Sequence, residues 1–151
     1  MKQLKTGGWV VIADGSKALF LRNDLNTRDY DLRVVQIREQ DNPASRDQGS
    51  DRPGRAHSGP GGSNIAYDET DWHQLAEDRF VAELSDILVH KSRTKAFDQV
   101  VLVAPPPVLG ALREALPADV AAHVLAEIPK TLTNHPVKKI ASLIKTELDK
   151  L

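Results

Sequence analysis

Hydrophobic residues recur along this chain with two periods, and each period marks a different kind of element. Trp9 to Ala13 is a short apolar, β-branched run between Gly7-Gly8 and Asp14-Gly15, which predicts a buried strand closed by a turn. Lys17 to Arg22 follows at hairpin distance. Asp31 to Gln40 sets Leu32, Val34 and Ile37 imperfectly against Arg33, Gln36 and Arg38, a third strand. Three successive strands with short links form an antiparallel meander.

Beyond the meander the period changes. Thr70-Asp71 reads as a cap for a helix from about Trp72 to His90, because Trp72, Ala76, Phe80, Leu84 and Leu88 recur every fourth residue. Val100 to Ala104 is uninterruptedly apolar, as in a central parallel strand covered on both faces. Pro105-Pro106-Pro107 ends that run and starts a helix bearing Leu109, Leu112 and Leu116. Val120 to Ile128 predicts a last strand. Thr133-Asn134-His135-Pro136 predicts a capped start to a helix that carries Val137, Ile140, Ala141, Ile144 and Leu148.

The resulting order is βββαβαβα. Right-handed crossovers place the fourth and fifth strands parallel to the first, on the side away from the meander. The expected fold is therefore an α/β protein with a single mixed five-stranded sheet, ribonuclease-H-like in its order 3-2-1-4-5, with helices on both faces. At 151 residues it is expected to be one domain spanning residues 1 to 151.

One segment breaks the pattern. Asp41 to Asp68 holds five Gly, three Pro, three Arg and four Asp, and reads as neither helix nor strand but as a long mobile Gly/Arg-rich loop. Arg52 and Arg55 are suited to fork onto phosphate, with His57 beside them, and Gly61, Gly62 and Ser63 to present backbone N–H groups unobstructed. The rival reading is a solvated insertion whose charges keep it soluble. In the expected topology the loop shares one sheet edge with Asp14, Pro105 and Lys130, the edge where α/β clefts form. Asp14 also has a plainer reading as a turn residue, and Lys130 with Lys138, Lys139 and Lys145 as a solvated helix face.

Composition narrows the chemistry. The net charge is −1, so any attraction to nucleic acid must be local. No cysteine is present, which excludes disulfides, thiolate zinc sites and a cysteine nucleophile. A two-metal nuclease needs several carboxylates converging on Asp14, whereas the fourth strand ends in Ala104 and Asp98 lies at its other end. His57, Asp51 and Ser58 or Ser63 have no strand–Ser–helix elbow around them, and Gly59 to Ser63 lacks the lysine of a phosphate-binding P-loop. His73, His90, His123 and His135 show no ligand spacing, and Trp9 and Trp72 read as packing residues. No complete catalytic set is visible, and no metal or cofactor is expected. The start of the chain lacks the apolar core of a signal peptide and no run is long enough to span a membrane, so the expected compartment is the cytoplasm.

Four ordered blocks carry a family resemblance: Trp9 to Gly15 with Ala18, Asp51 to Arg55, Val103 to Pro106 with Leu109-Gly110 and Leu112-Arg113, and Glu127 to Thr133. Together they resemble the bacterial family labelled "protein required for attachment to host cells". The same layout is similar to the middle domain of archaeal and eukaryotic peptide-chain release factors, in which a mobile Gly-Gly-Gln loop before a long helix enters the peptidyl-transferase centre. Here Gly61-Gly62 precedes a helix, and Ser63 stands at the place of that glutamine. The resemblance implies the fold and contact with tRNA or the ribosome, without peptidyl-tRNA hydrolysis. Two alternatives remain open beside it: a protein-interaction factor acting indirectly in surface attachment, and a small-ligand or nucleotide hydrolase at the sheet edge.

Overall fold

The computed structural model describes residues 1–40 and 62–151. Five strands form one sheet: β1 Trp9–Ala13, β2 Lys17–Asn23, β3 Leu32–Glu39, β4 Val100–Val103 and β5 Val124–Ile128. Their order is β3-β2-β1-β4-β5, with β1 antiparallel to β2, β2 antiparallel to β3, and β4 parallel to both β1 and β5. This is the mixed sheet that the hydrophobic pattern predicts.

The helices are α1 Gly62–Arg93, α2 Pro106–Ala115, α3 Ala118–Ala121 and α4 Val137–Asp149. The steps β1 to β4 and β4 to β5 go the same way across the sheet, so right-handed crossovers put their connecting helices on one face. Phe80, Leu84 and Leu88 of α1, Val108, Leu109 and Leu112 of α2 and Val120 of α3 accordingly pack on Trp9, Val11, Phe20, Val100 and Leu102. The opposite face carries Val10, Ile12, Leu19, Leu21, Val101 and Val103 under Ile140, Ile144 and Leu148 of α4, with Leu4 beside them. Alternate residues of β1 and β4 thus enter different cores, which is why both strands are apolar without interruption.

Three expectations are corrected. The helix placed at about Trp72 begins at Gly62, so residues 62–68 of the expected irregular segment are helical and Thr70-Asp71 lies inside the helix. Once the packed stretch from Ala76 to Leu88 forms, each further residue adds a hydrogen bond without a new nucleus, and no proline lies between Pro60 and that stretch to stop the growth. The last strand is Val124–Ile128 rather than Val120–Ile128, because Ala118–Ala121 forms a short helix after Pro117 and buries Val120; the order is therefore βββαβααβα. Thr133 does not cap α4: Pro136 occupies that position with no side-chain cap bond.

Two local features depart from the regular pattern. Helix α1 ends with Ala96 N–H donating to the Lys91 carbonyl (2.9 Å) and Lys95 N–H to that of Ser92 (3.0 Å), a Schellman-type ending. Its left-handed position, normally glycine, is Lys95 at φ 62°, which costs about 1 kcal/mol. Asn23 is fully buried where the β2–β3 link meets the chain start. Its amide donates to the Leu4 and Asn26 carbonyls (3.2 and 3.0 Å), and its carbonyl oxygen accepts from the N–H groups of Leu25 and Asp31 (3.1 Å each).

Candidate functional site

The parallel strands decide where a site forms. The register aligns Ile12 with Val103 and Val103 with Ile128, so Asp14, Pro105 and Lys130 follow the carboxyl ends of three neighbouring strands. Strand β3 runs the same way as β1, and Gln40 at its end donates its N–H to the Ser16 carbonyl (2.7 Å). Residue 40 therefore leaves the sheet at the same rim.

Asp14 is held by its surroundings on both carboxylate oxygens. Oδ1 accepts the N–H groups of Ser16 and Lys17, each at 2.8 Å, as an aspartate does in a side-chain-closed turn. Oδ2 accepts the hydroxyl of Thr133, also at 2.8 Å. Thr133 is buried and belongs to the β5–α4 link, so this contact ties the two ends of the rim together. The sequence pattern places Thr133 in a helix-start signature and in a resemblance block, without a distant partner.

Helix α1 forms the far wall. Gln40 donates its amide to the Ala76 carbonyl at 2.8 Å, and a side chain added at Gly15 would meet the Glu77 carboxylate at 2.8 Å. Between these elements lies a cleft of about 210 Å³ lined by Gly15, Ser16, Gln40, His73, Ala76 and Glu77. Arg38 and Glu83 pair across β3 and α1 just below it. The helix starts at Gly62 and ends beside Asp119 at the opposite edge, where Arg93 makes a two-pronged pair (3.1 Å twice). At 1.5 Å per residue its first turns therefore rise roughly 20 Å beyond the Ala76 contact. Gly62 and Ser63 form the first turn of that projection, whose N–H groups have no acceptor within the helix itself.

The other predicted site residues divide clearly. Arg52, Arg55, His57 and Gly61, with most of the expected loop, lie outside the described residues. Pro105 starts α2, its carbonyl accepting from the N–H groups of Val108 and Leu109 at 3.0 Å. Lys130 is ion-paired with Glu147 at 3.1 Å, which also holds Lys150 at 3.2 Å. The hydrogen bonds from these two lysines keep the Glu147 carboxyl below its ordinary value. Lys145 pairs with Asp149 at 3.0 Å and lies over the Tyr30 ring. The lysines around α4 are thus largely balanced by its own acids. Trp9 packs against Phe20 and Phe97, while Trp72 is half-buried with Arg79 over its ring. Among the described residues no group of three or more His, Cys, Asp or Glu could hold a metal ion, and no described helix is long and apolar enough to cross a membrane.

The model of the bacterial archaeo-eukaryotic release factor family 12 matches residues 8–144. The chain belongs to this family. No curated protein matches it in sequence. Among solved structures, an archaeal translation termination factor superposes on 97% of the chain at 11% identity and a TM-score of 0.47. This release-factor family member covers 38% of that longer protein.

Proposed function

We propose that this family member binds RNA of the translation machinery, tRNA or ribosomal, through the rim and the Arg/Gly segment that leaves it, and that it acts by binding rather than by catalysis. Membership of the release-factor family carries the reading. The rim geometry supports it: Gln40 and the projecting start of α1 bracket the segment that holds Arg52, Arg55 and His57, while Asp14, Pro105 and Lys130 line the edge below. Guanidinium groups suit phosphate oxygens, and glycines let the backbone approach a strand of RNA closely. The hydrolase reading is weaker, because both oxygens of Asp14 are already engaged by Ser16, Lys17 and Thr133. The site of action in this reading is the cytoplasm.

The test is RNA and ribosome binding measured across a salt series, with wild type against Arg52→Ala/Arg55→Ala. Loss of two phosphate contacts flattens the dependence of log affinity on log salt by about 1.5 to 2. An identical slope and affinity in the double variant refutes the role of the segment. Co-purification of a stable protein partner without RNA supports instead an interaction factor acting indirectly in surface attachment.

A further inference from the structure

The edge opposite the rim carries a second polar depression, of about 220 Å³, between residues 5–8 and 95–99. Its walls are joined before any ligand arrives. Gln99 accepts the Lys5 N–H on its side-chain oxygen (2.9 Å) and the Trp9 N–H on its backbone oxygen (2.9 Å). Gly7 makes the turn at φ 85°, and its N–H donates to the Asn23 carbonyl (2.7 Å).

Two cations and several backbone donors line this depression. Lys5 and Lys95 are exposed, and neither ammonium group has a hydrogen-bond or ion-pair partner among the described residues. The backbone N–H groups of Phe97, Asp98 and Gln99 likewise have no acceptor among the described residues. The Gln99 oxygen already accepts from Lys5, and its NH2 adds two donors at the same wall. The one carboxylate lining the depression is Asp98, and the adjacent Arg93 is already closed on Asp119. Lys95 also holds its place against the backbone, since a side chain is disfavoured roughly fivefold relative to glycine in this conformation.

We infer that this depression is a binding site for a phosphate-type anion, free or in a nucleic-acid backbone, held between the Lys5 and Lys95 ammonium groups and the N–H groups of residues 97–99. Its volume lies below the range of about 300–1,000 Å³ usual for drug-sized ligands, which suits a single small charged group. Successive backbone N–H groups beside two cations are a known kind of anion cradle. The site is separate from the rim, and its test does not depend on the RNA reading.

The backbone at residue 95 supplies an unusually clean experiment. Lys95→Gly removes a cation and relieves the left-handed strain together, so binding and folding move in opposite directions. Pyrophosphate is titrated into the full chain at low salt, and amide resonances are followed by heteronuclear NMR. Wild type is expected to shift residues 5–8 and 95–99 saturably. Lys95→Gly is expected to raise the urea midpoint while weakening pyrophosphate about fivefold, and Asp98→Asn to strengthen it by a similar factor. A short single-stranded RNA distinguishes the sources: competition with pyrophosphate for the same resonances assigns the site to backbone phosphate, and its absence to a free anion. The inference is overturned if pyrophosphate to about 10 mM leaves these resonances unmoved, or if Lys95→Gly binds it as tightly as wild type.

Discussion

Replacing Thr133 by valine removes one hydroxyl from a buried position while keeping the shape of the side chain. The lost interaction is a hydrogen bond to a carboxylate, Thr133 Oγ1 to Asp14 Oδ2 at 2.8 Å. Bonds to charged groups contribute about 1.5–3 kcal/mol. Asp14 is only half-buried and keeps two N–H donors on its other oxygen, so the low end applies, about 1.5 kcal/mol. For a chain of this size that corresponds to a fall in Tm of about 3–6 °C. Urea unfolding measures the loss directly, with Thr133→Ser as the variant that keeps the hydroxyl. A double-mutant cycle with Asp14→Ala then isolates the pair, with an expected coupling of about 1 kcal/mol or more. If Thr133→Val lies within about 0.3 kcal/mol of wild type, or the coupling is of that size, the rim is not held by this contact.

Two further outcomes test the frame around the site. Asn23→Ala strands two carbonyls and two N–H groups at a fully buried position, and is expected to cost about 3 kcal/mol or more in urea unfolding; a loss under about 1 kcal/mol refutes the account. Because Lys130 and Lys150 hold the Glu147 carboxyl below its ordinary 4.5, its contribution to stability is present above that value and fades as pH falls through the lower folded one. Glu147→Gln is therefore expected to differ from wild type at neutral pH and low salt but to converge with it in acid. An unchanged gap in acid would show that the pairs carry no linkage.

Much of the architecture is legible in local pattern. Val10, Ile12, Val101 and Val103 alternate with Trp9, Val11, Val100 and Leu102, so strands covered on both faces announce themselves as unbroken apolar runs. The fourfold spacing from Ala76 to Leu88 and the stripe of Ile140, Ile144 and Leu148 define two helix faces, and handedness then determines the strand order and the face each crossover helix covers. These are properties of neighbouring residues, and neighbouring residues are all that a sequence displays.

The tertiary structure decided the rest. Thr70 and Asp71 are cap-forming residue types, yet they lie inside a helix whose growth is sustained by packing further along the chain. Thr133 looks like a cap, but Asp14, 119 residues away, takes its hydroxyl. Gly15 lies against the Glu77 side chain, and Gln40 finds its partner at Ala76. A polar side chain satisfies its hydrogen bonds with whatever group the fold brings near, so the core and the strand order follow from local periodicity while the rim's contacts exist only once the sheet has closed.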